Sequence, residues 1–208
     1  MKPIPPCPTL ALLLLIYFCA SLMDETFKTL AARLTQSISD LDCNETQARS
    51  PRTWSIQQIV EHLMLTYSST EALIADRIAK GRPTQASLSL LQRCGQVYVI
   101  RLGLFPGGVQ APAAVTPSMD PIPLSGEQLA WTTMEQLVTL DAMLGKAASI
   151  FGERNRFASH VILGPLTPRQ WRLFHLAHGL HHINQIHSLR RRLSGKSHRQ
   201  SADPAHRR

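Results

Sequence analysis

Imidazole is concentrated near the end of this chain. His175, His178, His181, His182 and His187 are five of its nine histidines, and all follow Trp171 within one helix-compatible stretch. Wound on an α-helix at about 100° per residue, His182 lies about 40° from His178, Gln185 about −20°, His175 about 60° and His181 about −60°. One stripe therefore carries His175, His178, His182 and Gln185. Histidines four residues apart on one face can both bring a ring nitrogen to about 2.1 Å from a single ion. The stripe also holds Leu189 and is the side expected to face the protein interior, where an imidazole without a partner is costly. A further candidate, His62, shares a helix face with Ile59, Thr66 and Leu73. Taken alone, His62 reads first as a core histidine satisfied by a neighbour.

Three neutral imidazoles suit a borderline divalent ion such as Zn²⁺ or Ni²⁺ and leave coordination positions free. That is the open, catalytic type of site rather than a closed structural one. Such an ion would activate a water or a small thiol. Gln185, His175 and His181 are then candidates for steadying a ligand ring or touching substrate. No carboxylate stands out as a general base; Glu61 adjoins His62 but points elsewhere on the helix, so no catalytic residue is assigned.

Positioning these residues falls to four amphipathic helices. Phe27, Leu30, Leu34, Ile38 and Leu41 recur at three- and four-residue steps and predict a helix over 24–41. Ser55-Ile-Gln-Gln58 is a capping box that opens a helix over 55–80, closed by Gly81 and Pro83. Leu129, Met134, Leu137, Leu140 and Leu144 predict a third over 126–150. Thr167-Pro-Arg-Gln170 is a second capping box, with Pro168 at the first helical position, and opens the helix over 168–193. Residues 42–54 and 152–164 read as loops, and 86–105 fits no single period. The expected fold is all-α, a four-helix bundle without a convincing sheet. A link of about 45 residues between the second and third helices is uncommon unless it travels the length of the bundle, letting those helices run parallel.

With 208 residues and 44% hydrophobic content, the chain suits one core and excludes a wholly disordered protein. Cys7, Cys19, Cys43 and Cys94 form no CxxC pair, which argues against a thiolate zinc site or disulfide framework. The net charge of +8 is mostly local: residues 190–208 hold seven Lys/Arg against Asp203, leaving +2 for the rest. No specific nucleic-acid partner is therefore expected, and residues 194–208 read as a basic disordered tail.

Residues 1–22 form an apolar leader with two readings. Lys2 followed by the run from Leu10 resembles a signal-peptide core, too short for a comfortable span. Alternatively it is an extension from a misplaced start codon, with Met23 opening the first helix and the bundle occupying 23–193. The first reading implies export or membrane anchoring through residues 1–22, the second a cytoplasmic protein. A membrane partner is expected only if the leader is retained.

Two motifs carry a family resemblance. Trp54-Ser-Ile-Gln-Gln-Ile-Val-Glu-His62-Leu and His178-Gly-Leu-His181-His182-Ile-Asn-Gln185 resemble the two histidine helices of the DinB/YfiT-like superfamily of bacterial metal-binding four-helix bundles, and Leu163 to Trp171 is similar to the family's entry to the last helix. The likeness spans about residues 24–193; the long Pro/Gly-rich link resembles a less-studied subgroup. It implies His62, His178 and His182 as ligands of Zn²⁺ or Ni²⁺, and parallel second and third helices. It also implies a thiol-dependent S-transferase or isomerase reaction on a small-molecule substrate, with a low-molecular-weight thiol as co-substrate. A hydrolase is the neighbouring expectation. A non-catalytic metal-binding or dimerisation bundle, as a homodimer, is the alternative.

Overall fold

Helix α1 spans Glu25–Ile38, and the Asp24 side chain caps it by accepting from the Thr26 N–H at 2.9 Å. Its expected stripe is buried: Phe27, Leu30, Leu34 and Ile38 are closed to solvent. This computed structural model describes residues 22–49, 53–106 and 110–201, with side chains as far as residue 194. Residues 1–21 and 202–208, and with them nearly all of the expected leader and the end of the expected tail, lie outside the described residues.

The expected loop at 42–54 contains a short helix, α2, over Cys43–Gln47, started by an Asp42/Glu45 capping box. Helix α3 (Ile56–Ala79) opens at the expected box, where Ser55 Oγ accepts from Gln58 N and Gln58 Oε1 accepts from Ser55 N. Helix α4 (Leu90–Gln96) continues as a π-helical turn over Val97–Arg101. That change of winding is one reason 86–105 fits no single period. A 3₁₀ turn at Ala113–Val115 follows, and then α5, Gly126–Phe151. Helix α6 runs Pro168–Ser201, eight residues past its expected end at 193, so the backbone of the first part of the expected disordered tail is helical.

The expectation of no sheet needs a correction. Ala158–His160 (β1) and Gly164–Leu166 (β2) pair antiparallel, Ala158 opposite Leu166 and His160 opposite Gly164. His160 Nδ1 accepts from the backbone N–H groups of Ile162 and Leu163, which ties the hairpin turn without a glycine–asparagine signal. Three-residue strands are too short to show a period-2 pattern. With that exception, the described chain is helical, of the all-α class.

Helix α1 packs against α5 and α6, and α3 against α5, with α6 touching both α3 and α5. Phe27, Leu30, Leu63, Tyr67, Leu137, Leu140 and Phe157 fill the shared core. Gly126, which donates its N–H to Leu41 O at 2.9 Å, permits the close approach of α5 to the end of α1; a Cβ there would fall 1.6 Å from the carbonyl oxygen of Ile38. Asp141 on α5 accepts from Arg172 Nε at 2.6 Å and from Asp24 N at 2.8 Å, so one buried carboxylate ties α1, α5 and α6. The connection between α3 and α5 is pinned to the first turn of α3: Gln57 Nε2 donates to Ile122 O, Gln57 Oε1 accepts from Leu124 N, and Gln58 Nε2 donates to Ser118 O. Further along, Gln136 Nε2 of α5 donates to Ser68 Oγ of α3.

Candidate metal centre

The Ser55 cap sets the start of α3 so that His62 falls on its second turn, facing inward at 5% exposure. The Thr167 cap does the same for α6: Thr167 Oγ1 accepts from Gln170 N, and Gln170 Oε1 accepts from Thr167 N. His178 and His182 then lie one turn apart, each 6% exposed. Their ligand atoms and one from His62 all lie within 4.8 Å of one another. The Nε2 atoms of His62 and His178 are 3.3 Å apart, and those of His178 and His182 are 3.0 Å apart. Two nitrogens held at about 2.1 Å from one tetrahedral ion are separated by about 3.4 Å. The spacing fits one ion bound by three Nε2 atoms.

Proton placement favours the same arrangement. The Val115 carbonyl can only accept, and at 2.7 Å from His62 Nδ1 it places the ring proton on Nδ1. Gln185 Oε1, 2.9 Å from His182 Nδ1, does so for His182. A neutral imidazole carries one N–H, so the Nε2 atoms of His62 and His182 present lone pairs. His178 can donate to only one of them. Without a cation, at least one of the two short N···N approaches has no proton between the rings. The second hydrogen bond on each outer ring is the feature by which metal-bound histidines are oriented.

All three rings are uncharged near neutral pH. Burial lowers the His62 pKa, partly opposed by the Val115 hydrogen bond. Burial, then the neighbouring His182 and His62, puts His178 well below the usual imidazole range. Burial, then His62, lowers His182 to about 3 against the opposing Gln185 hydrogen bond.

The other sequence candidates separate cleanly. Gln185 bridges two histidines, its Nε2 lying 2.9 Å from His181 Nε2. His181 is half-buried at the margin. His175 is fully buried among Phe27, Tyr67, Trp171 and Phe174, with neither ring nitrogen hydrogen-bonded, and it is not among the three clustered rings. Glu61 is directed at Gln57 Nε2, 2.9 Å away, and burial raises its pKa. Trp54 lies against His62, with centroids 5.2 Å apart.

Sequence reasoning missed three contributors. The Val115 carbonyl carries no residue-type signature. Phe105, 4.9 Å from the His178 ring, comes from the irregular connection, and Phe174 stacks on the same ring at 5.6 Å. Only Phe174 was traceable, as the residue one turn before His178. Comparison with family models, curated proteins and solved structures finds no match to this chain.

Proposed function

We propose that this chain is a DinB/YfiT-like four-helix bundle and a divalent-metal-dependent enzyme, with His62, His178 and His182 binding Zn²⁺ or Ni²⁺. The four long helices are α1, α3, α5 and α6, and the connection from α3 to α5 is the crossover. The hydrogen bonds from Gln57 to Ile122 and Leu124 join start to start, and the Gln136–Ser68 bond joins middle to middle, which supports parallel α3 and α5.

The observation that carries the metal reading is the convergence of three rings through Nε2, two of which, His62 and His182, have their Nδ1 atoms already committed to Val115 and Gln185. A bound ion of this class supplies Lewis acidity toward a small thiol or a water, for transfer to an electrophilic small-molecule substrate or for hydrolysis. The chain's own residues supply the rest. Val115 and Gln185 hold two rings in the tautomer that binds, Phe105 and Phe174 keep water from the His178 ring, and His181 stands where substrate enters. Burial favours a second reading, a non-catalytic metal-binding or dimerisation bundle, because all three rings are at most 6% exposed. Elemental analysis of the full chain beside His182→Ala tests the centre: about one equivalent of transition metal, lost in the variant, is expected. A screen of low-molecular-weight thiols with electrophilic acceptors then separates enzyme from inert bundle, and no turnover by metal-loaded protein would leave only the second reading.

A further inference from the structure

Helix α4 and its π-helical continuation carry a row of apolar side chains on the side away from the protein. The inner side of α4 meets the hairpin through glutamines, Gln96 Nε2 donating to Leu163 O at 2.8 Å and Gln92 lying against Gly164, where a Cβ would meet its amide at 2.6 Å, while the π-helical continuation buries Val99 in the core. Their outer side is apolar. Leu90 is 78% exposed, Leu91 83% and Leu102 61%, with Val97 and Tyr98 also exposed. The adjoining hairpin tip adds Val161 and Ile162 at 92% and 65%. A helix that turns glutamines inward and shows leucines to solvent presents an unpartnered interaction face rather than scattered surface apolarity.

Charge indicates what it meets. No Asp or Glu occurs between Asp76 and Asp120, or between Glu153 and Asp203, and these two acid-free stretches together supply the helix and the hairpin. Arg82, Arg93 and Arg101 are exposed and form no ion pair among the described residues. A symmetric dimer through this face would set an acid-free cationic surface against itself. We propose that the face formed by α4, the Val97–Arg101 turn and the hairpin tip docks on an anionic lipid surface. The leucines enter the headgroup boundary while the arginines stay at phosphate level, their stems lying along the apolar layer. This contact is independent of the leader and of the metal centre.

Co-sedimentation of the full chain with phosphatidylglycerol/phosphatidylcholine vesicles, against pure phosphatidylcholine, tests it. Binding to the anionic vesicles alone is expected, falling roughly tenfold or more in Leu90→Glu/Leu91→Glu and in Arg93→Glu/Arg101→Glu. The second variant alters only exposed charges, so it keeps the test open if the first folds poorly; circular dichroism checks both. Loss confined to Arg207→Glu/Arg208→Glu would assign binding to the tail and overturn the proposal, as would face variants that bind like the parent. A parent dimer made monomeric by Leu90→Glu/Leu91→Glu, with no vesicle binding, would make the face a self-association surface instead.

Discussion

His175 and His178 sit on the same helix, less than one turn apart, and both are buried, yet they occupy opposite situations. His178 faces His62 and His182 with Nε2–Nε2 distances of 3.3 and 3.0 Å, and those two flanking rings are anchored at Nδ1 by Val115 and Gln185, while His178 Nδ1 itself has no hydrogen-bond partner. His175 lies in an aromatic cage of Phe27, Tyr67, Trp171 and Phe174 with neither nitrogen bonded. The contrast teaches that a buried imidazole gains chemistry from what meets its nitrogens. Residue type and helical phase alone do not confer it.

Removing a ring from each region breaks the comparison most sharply. His178→Ala is expected to abolish stoichiometric metal, read by elemental analysis, whereas His175→Leu should leave metal content at the parent level. Loss of metal in both would mean that the cage belongs to the centre.

One step outward, Gln185→Leu removes the acceptor on His182 Nδ1 and should weaken metal affinity about 10–100-fold in competition with a chelator, with the stoichiometry kept at saturation. An unchanged affinity would show that the His182 ring needs no such anchor.

Gly179, between the two regions, permits the close approach of α6 to α1; a Cβ there would fall 2.3 Å from Leu30 Cδ1. Gly179→Ala is expected to cost about 1–3 kcal/mol in chemical denaturation, because Leu30 is fully buried and has little room to give. A stability equal to the parent's would mean that Leu30 repacks freely.

A last effect concerns pH and is confined to acid conditions. Burial lowers the His175 pKa from 6.5 to about 3, helped by repulsion from His160. The folded state thus binds this proton less readily than the unfolded state. Its contribution is intact above pH 6.5 and is lost progressively as pH falls from 6.5 toward 3, with a slope of up to about 1.4 kcal/mol per pH unit. In metal-stripped protein, His175→Leu should flatten the acid limb of the stability curve by that slope. An unchanged limb would show that His175 gains its proton without unfolding the chain.

The capping boxes at Ser55 and Thr167 were legible because each is a contact between residues three apart, made by side chains of recognisable type. The same holds for the stripe of His178, His182 and Gln185, a consequence of helical winding alone. The orientation of α4 was illegible for the opposite reason: the hydrophobic pattern marks which face leaves water only if the helix packs on that face, and here Gln96 is the buried contact while Leu90 and Leu91 face solvent. The hairpin at 158–166 was hidden by strands too short to alternate, and its turn is held by His160 instead of a turn residue.

By itself the amino-acid sequence determined the four long helices, their starts and the pairing of two histidines on one face, since these depend on interactions within a few residues along the chain. Tertiary structure alone decided that His62 meets that pair, that Val115 and Gln185 settle where the ring protons sit, and that His175 is left without a partner. Those outcomes depend on how helices distant in the chain are docked, and on backbone carbonyls that every residue carries alike.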